Sequence, residues 1–117
     1  MALTQHHHID LTLINGYLEA LDIMVIQQML DLYIQQSELN LTAINSAVVK
    51  SDQKVWQEQC HKMKGSAASA GLSQVHQKLI LLEKSTEDSE TKAQHLQALR
   101  LLNQQGIAAF QQWLTEQ

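Results

Sequence analysis

Apolar residues recur three or four positions apart along most of this chain, which is the repeat of amphipathic α-helices. The pattern predicts five helices, over about residues 10–21, 22–49, 52–71, 73–84 and 89–116. The predicted N-terminal caps are Asp10, Asp22, Ser51 or Asp52, and Ser73. Because the connections are short, the chain is predicted to be all-α, an up-down-up-down four-helix bundle with an additional short N-terminal helix.

The apolar face of each helix predicts the residues of the core. In the second helix these residues are Ile23, Ile26, Leu30, Tyr33, Ile34, Leu41 and Ile44. In the fourth and fifth helices they are Val75, Leu79, Leu82, Leu96, Leu99, Leu102, Ile107, Phe110 and Leu114. Trp56 and Trp113 are predicted to pack in the core or at its boundary. Gly106 should weaken the last helix modestly, because glycine is a poor helix former.

The third predicted helix turns a histidine away from the core. Its core-facing residues follow the spacing i, i+4, i+7, i+11, i+14 and are Trp56, Cys60, Met63, Ala67 and Ala70. His61 lies on the opposite face, and Lys64, Gly65 and Ala68 follow it at i+3, i+4 and i+7. Gln57, one turn earlier, lies on the same outer face.

This outer face combines a nucleophile, a cation and small side chains. Because Gly65 and Ala68 are small, a second protein could approach the imidazole of His61 closely. Lys64 could offset the negative charge of a phosphoryl group on the ring, as lysine does at other phosphate sites. Lys62 is expected at the rim of the same docking face. These residue types at this spacing favour phosphoryl transfer through His61.

The segment that begins at His61, HKMKGSAASAGL, resembles the signature of the histidine-containing phosphotransfer (HPt) domain. In that signature a histidine is followed by any residue, an apolar residue, lysine, glycine or serine, small residues and a glycine. The matching residues are His61 at the phosphoacceptor, Met63 at the apolar position, Lys64 at the lysine, Gly65 at the small residue after it, and Gly71 at the final glycine.

The resemblance implies a function and its partners. It implies a phosphorelay intermediate of a two-component system, in which His61 accepts a phosphoryl group from a receiver-domain aspartate and passes it to another receiver. Mg²⁺ would belong to the partner receiver, and this domain would need neither a cofactor nor a metal of its own. The sequence has no GxxxxGK[ST] loop, so ATP is not expected to be its direct donor.

The resemblance also draws attention to Glu83. In the family, a residue twenty-two positions after the phosphoacceptor often bonds the imidazole, and here that residue is Glu83. A carboxylate that accepts from Nδ1 of His61 would fix the ring tautomer and leave Nε2 free to attack phosphorus. The alternative is an ordinary surface glutamate near a helix end.

Length and composition are consistent with one domain. The chain has 117 residues, 44% of them hydrophobic, and no proline, which favours a single helical domain over residues 10–117 after a flexible N-terminus, 1–9. A single cysteine excludes an internal disulfide and suggests a reducing compartment. No long apolar run or leader is evident. We therefore expect a cytoplasmic, monomeric domain, either free-standing or the cytoplasmic part of a membrane-bound sensor kinase.

Positive charge is concentrated around His61. Residues 1–49 contain five acids and no lysine or arginine, whereas residues 50–84 contain six of the eight basic residues. The net charge is −4 and arginine clusters are absent, which disfavours a nucleic-acid partner. The distribution favours an acidic protein partner, and the resemblance implies that this partner is a receiver domain.

Two other function classes remain open at this point. One is a helical adaptor that docks a signalling partner without being phosphorylated. The other is a metal-binding bundle, but the histidine tract 6–8 is expected to be a frayed terminus or a remnant of cloning. His76 and His95 lack ligand partners at suitable spacing and are interpreted as surface or boundary residues. Cys60 and His61 are neighbours on a helix, so their side chains diverge.

Overall fold

Five α-helices follow one another in the predicted order in the computed structural model, which describes residues 7–117. The helices are α1 (Leu11–Ala20), α2 (Ile23–Val49), α3 (Gln53–Ala70), α4 (Ser73–Glu83) and α5 (Ser89–Thr115). α2 and α4 each pack against both α3 and α5, and this closes a four-helix bundle, while α1 packs against α2. The described residues contain no strand. The predicted all-α fold is therefore confirmed.

Aspartate side chains cap four of the five helices. Asp10, Asp22, Asp52 and Asp88 occupy the N-cap positions of α1, α2, α3 and α5, and each carboxylate accepts a backbone N–H of the first turn at 2.8–3.1 Å. The bond from Thr91 lowers the pKa of Asp88. Of the two residues predicted to cap α3, the structure uses Asp52. Capping of this kind satisfies backbone donors that have no partner inside the helix.

The prediction that Ser73 caps α4 is wrong. The N-cap position is Leu72, which is fully buried and makes no side-chain capping bond. Ser73 lies inside the helix, and its hydroxyl donates to the carbonyl of His7 at 3.3 Å. Gly71, at φ +75°, ends α3 in the left-handed conformation, so the short turn places a core residue where a polar cap was expected.

The core consists largely of the predicted residues. Buried members are Ile26, Leu30, Tyr33, Leu41, Ile44, Trp56, Cys60, Met63, Ala67, Val75, Leu79, Leu82, Leu96, Leu99, Phe110 and Trp113. Ile23 is an exception, because this first residue of α2 is 37% exposed and the buried stripe begins one turn later. Gly106 is buried, and a Cβ added there would lie 3.4 Å from Cδ2 of Leu72. A methyl group at this position would make ordinary van der Waals contact with Leu72, which belongs to the turn between α3 and α4.

A polar layer joins α2 to α5 inside the core. The hydroxyl of Tyr33 donates to Oδ1 of Asn103 at 2.6 Å, and Nδ2 of Asn103 donates to Oγ of Ser37 at 3.1 Å. All three side chains are buried, and burial raises the pKa of Tyr33. Each polar group has a partner, as buried polar groups require. The apolar periodicity did not predict Ser37 or Asn103 in this position.

The N-terminal boundary differs from the prediction. Residues 1–6, including His6 of the histidine tract, lie outside the described residues. His8 and Ile9 are buried, with 8% and 2% of their surfaces exposed, so packing against the domain begins before residue 10. Burial, together with the neighbouring His7, lowers the pKa of His8.

A helix that spans a membrane must be long and predominantly apolar. Across residues 7–117, none combines enough length with enough apolar character to cross a bilayer.

Candidate functional site

The position of α3 against α4 builds the candidate site. Trp56 is 1% exposed, and its Nε1 donates to the carbonyl of Leu82 at 2.7 Å. This bond ties the first half of α3 to the last turn of α4, one residue before Glu83. With Cys60 and Met63 also buried, the side chain of His61 faces outward and is 69% exposed, as predicted.

Glu83 joins His61 to Lys64. Its Oε1 lies 3.1 Å from Nδ1 of His61 and 2.9 Å from Nζ of Lys64. Glu83 and Lys64 are about three-quarters buried, with side chains 25% and 26% exposed. The structure therefore brings together the three residues that sequence reasoning assigned to chemistry, and Glu83 contacts the ring.

The electrostatics of this trio determine which nitrogen carries the proton. The hydrogen bond from Lys64, followed by the bond to His61, holds the pKa of Glu83 below its ordinary value. Glu83 is thus a carboxylate near neutral pH, and a carboxylate can only accept hydrogen bonds. Nδ1 of His61 consequently donates to it. In the neutral ring, Nε2 then carries the lone pair and is the nucleophilic nitrogen.

Lys64 is more constrained than the sequence suggested. It was predicted to stand beside His61 with its charge available to a phosphoryl group. Instead, its ammonium group makes an ion pair with Glu83 from the neighbouring helix. The i+3 spacing places Lys64 on the correct face of α3, but only the packing of α4 determines which partner it meets.

A shallow hollow adjoins His61 between α3 and the end of α4. Its lining comprises Gln57, Glu58, His61, Lys62, Glu83 and Lys84. Lys62 and Lys84 are exposed, and neither makes an ion pair with another described residue. Glu58 lies 4.0 Å from Lys54. Lys84 belongs to the basic stretch predicted around His61 but was not among the predicted docking residues, and its position directly after Glu83 was the available signal.

The remaining predicted docking residues lie on open surface around His61. Gln57 lines the hollow, whereas Lys62 and Gly65 also border a groove between α2 and α3 that includes Leu32 of α2. A Cβ added to Gly65 would meet no atom within 4 Å. Ala68 is exposed one turn further along α3.

The other histidines and the cysteine are placed differently. Cys60 is fully buried, and burial raises the pKa of its thiol to about 12. His76 and His95 are half-buried, which confirms that they are boundary residues. His95 has an acidic partner that was not predicted, since its Nε2 lies 3.2 Å from Oε1 of Glu87. Within residues 7–117, no three histidine, cysteine or acidic side chains are grouped as metal ligands would be.

Comparisons with known proteins agree with this architecture. The sequence matches the family model for the Hpt domain over residues 28–113, a range that includes His61, Lys64 and Glu83. Among solved structures, the histidine-containing phosphotransfer domain of ArcB from Escherichia coli is similar, with a TM-score of 0.84 and 18% sequence identity over 95% of this chain and 96% of that chain. No curated protein sequence matches the chain.

Proposed function

The chain belongs to the Hpt domain family, and we propose that it is a phosphorelay intermediate of a two-component system. His61 accepts a phosphoryl group from the aspartate of one receiver domain and passes it to the aspartate of another. The observation that carries this proposal is the bond between Nδ1 of His61 and Glu83 on a ring that is 69% exposed. One nitrogen is held by the domain while the ring remains accessible to a second protein.

The chemistry of the acceptance step follows from that arrangement. The lone pair of Nε2 attacks the phosphorus of the receiver's acyl phosphate, the new N–P bond forms, and the P–O bond to the aspartate breaks. The aspartate leaves as a carboxylate, and the ring becomes a phosphorylated imidazolium that keeps its proton on Nδ1. Glu83 stabilises the positive charge that develops on the ring, as a buried carboxylate does for other nucleophile-activating histidines.

The same contact serves the second transfer. When a second receiver aspartate attacks the phosphorus, the N–P bond breaks and its electron pair returns to Nε2. The ring returns to the neutral form with the proton still on Nδ1, so no proton has to be exchanged with solvent. Catalysis by this domain then consists of presenting and orienting the nucleophile.

Lys64 acts in this proposal through Glu83. It keeps the carboxylate ionised and in place, whereas the role predicted from the sequence, direct balance of the phosphoryl charge, would require Lys64 to weaken its bond to Glu83. Mg²⁺ belongs to the receiver that docks, because receivers carry the metal beside their phosphorylated aspartate. The domain itself has no assigned cofactor and receives no phosphate directly from ATP.

The receiver docks on the face formed by Gln57, Lys62, Gly65 and Ala68. The exposed lysine supplies charge that an acidic receiver surface would complement. The absence of a side chain at Gly65 leaves space for the partner next to the imidazole. We place the domain in the cytoplasm as a monomer, as a module of a hybrid sensor kinase.

The experiment that tests this function follows phosphate onto His61. The purified domain is mixed with a phosphorylated receiver, and the expected product is an acid-labile, base-stable phosphate that maps to His61. A domain that binds the phosphorylated receiver and gains no phosphate would be an adaptor. A label that survives in folded His61→Gln protein would place the acceptor elsewhere.

A further inference from the structure

The ion pair between Lys64 and Glu83 raises the question of which cation meets the phosphoryl group. With a neutral ring at His61, the charges of this trio sum to zero. Phosphorylation adds a group that carries about 1.5 to 2 negative charges near neutral pH. A cation that already shares an oxygen with Glu83 at 2.9 Å could serve that group only by weakening its present bond.

The ring geometry separates the two sides of the site. The carboxylate of Glu83 lies 3.1 Å from Nδ1, and Lys64 contacts the same oxygen atom. The lone pair of Nε2 points away from Nδ1, because the two nitrogens face opposite edges of the imidazole. Phosphorylation therefore occurs on the edge of the ring that Glu83 and Lys64 do not occupy.

Two uncommitted lysines border the hollow that His61 lines. Lys62 follows His61 on α3, and Lys84 follows Glu83 at the end of α4. Neither makes an ion pair within the described part of the chain. The two acids of the hollow already have cationic neighbours, since Glu83 pairs with Lys64 and Glu58 lies 4.0 Å from Lys54. The charge left uncompensated in the hollow is that of the two lysines.

The position of Lys84 relative to the ring is set by the fold. The bond between Trp56 and the carbonyl of Leu82 anchors the last turn of α4 on α3, and the next residue, Glu83, holds the imidazole. Lys84 is therefore tied through its neighbours to the reacting ring. A lysine placed elsewhere in the same basic stretch, such as Lys50 at the end of α2, does not line the hollow.

We propose that Lys84 and Lys62 bind the phosphoryl group carried by His61, while Lys64 stays paired with Glu83. The inference rests on the proposed function and assigns the counter-charge of the same site to residues whose identity the HPt signature does not specify. It also explains why both α3 and α4 contribute residues to the site. The face of α3 presents the nucleophile, and the end of α4 contributes both the ring contact and one of the two phosphoryl-binding cations.

The test uses phosphoramidate, a small donor that needs no receiver. Nε2 of His61 attacks its phosphorus, the donor's P–N bond breaks, and ammonia leaves. The ammonium and Cε signals of the lysines are then followed by NMR before and after phosphorylation. We expect the signals of Lys84 and Lys62 to shift, and those of Lys64 and Lys50 to stay in place.

Variants give the second measurement, which is the rate of phosphorylation by phosphoramidate. We expect Lys84→Gln and Lys62→Gln each to slow the reaction about threefold, the usual size of one partly solvated charge interaction. The double variant should be about ninefold slower if the two contributions add. Lys84→Arg should stay near wild type, and Lys50→Gln should match it. The differences should shrink as salt is raised to about 0.5 M.

The outcomes separate the inference from the function on which it rests. If neither phosphoramidate nor a phosphorylated receiver phosphorylates His61 of the wild-type domain, the proposed function is contradicted and the inference falls with it. If His61 is phosphorylated but the Lys64 signal moves and the Lys84 signal does not, the phosphoryl group is held by Lys64 and only the inference is wrong. Equal phosphorylation rates for Lys84→Gln and Lys50→Gln would also contradict the inference and would leave the proposed function unaffected.

Discussion

Two histidines of this domain each lie near a glutamate and a lysine, but their bonds are arranged differently. At His61 the glutamate is the central group, because Oε1 of Glu83 accepts from Nδ1 and from Lys64. Nε2 makes no hydrogen bond within residues 7–117, and 69% of the side chain is exposed.

At His95 the histidine itself is the central group. Its Nε2 lies 3.2 Å from Glu87, and its Nδ1 lies 3.2 Å from Nζ of Lys78. Since the lysine can only donate, Nδ1 accepts and Nε2–H donates to the carboxylate. Both nitrogens are occupied, and the side chain is 33% exposed.

The difference shows that residue types alone do not identify a nucleophile. Both sites contain histidine, glutamate and lysine within hydrogen-bond distance, yet only His61 keeps a lone pair available to another molecule. Whether the histidine can act as a nucleophile depends on which group lies at the centre of the hydrogen-bonded trio. The second site serves as a matched control for the first, because the same substitutions can be made at both.

The largest expected effect comes from the two histidines themselves. His61→Gln should abolish phosphate acceptance from a receiver, whereas His95→Gln should leave it close to wild type, because of these two rings only that of His61 has a free nitrogen. Both variants should keep the helical circular dichroism of the wild type. Loss of labelling in His95→Gln at unchanged helicity would contradict the interpretation that His95 takes no part in phosphate acceptance.

The next largest effect is expected where a partner must approach His61. Gly65→Gln should slow transfer from a receiver about a hundredfold or more, since a displacement of 1 Å at a reacting centre can cost that much. Stability should be equal or higher, because space around Gly65 is open and glycine is about 1 kcal/mol worse than alanine in a helix.

Gly16 provides the matched control for that substitution. It also lies in a helix, and a Cβ added to it would meet no atom within 4 Å. Gly16→Gln should raise the melting temperature without slowing transfer. Normal transfer by Gly65→Gln would instead place Gly65 outside the interface.

A smaller effect is expected from the glutamates. Glu83→Ala should slow transfer about tenfold, at the lower end of the range found when a hydrogen-bond partner that orients a metal-bound histidine is removed. Nitrogen NMR of His61 should show that the neutral ring no longer favours the tautomer that carries its proton on Nδ1. Glu87→Ala should leave the His61 ring and the transfer rate unchanged. An unaltered His61 spectrum in Glu83→Ala would mean that the contact does not control the tautomer.

The smallest effect concerns Lys64. Lys64→Gln should raise the pKa of Glu83, because the bond from this lysine is the main cause of its lowered value. The ion pair stabilises the fold above the ordinary pKa of glutamate, and this contribution is lost as the pH falls through the lowered folded-state pKa.

The stability change that follows is small and depends on pH. Lys64→Gln should destabilise the domain by at most about 1 kcal/mol at pH 7, and the difference from wild type should vanish at strongly acidic pH. Carboxyl ¹³C NMR and denaturant unfolding measure the two quantities. Lys78→Gln should leave the pKa of Glu83 unchanged. A change of that pKa in Lys78→Gln would argue against the specific pairing of Lys64 with Glu83.

Much of the fold was predictable because helices are local structures. The caps at Asp10, Asp22 and Asp52 and the inward stripe that contains Trp56 follow from spacing within one segment. The exceptions arise where segments meet. Ser73 does not cap α4, since the turn after Gly71 places Leu72 at the cap position and buries it.

The sequence by itself determined that His61 faces outward beside small residues, because the 3.6-residue repeat of one helix sets which side chains share a face. Only the tertiary structure decided that Glu83 contacts the ring, that Lys64 is paired with it, and that Lys84 borders the hollow. Those contacts depend on how α4 is rotated and positioned on α3. Close packing of side chains between the two helices fixes that position, and the periodicity of either helix alone does not predict it.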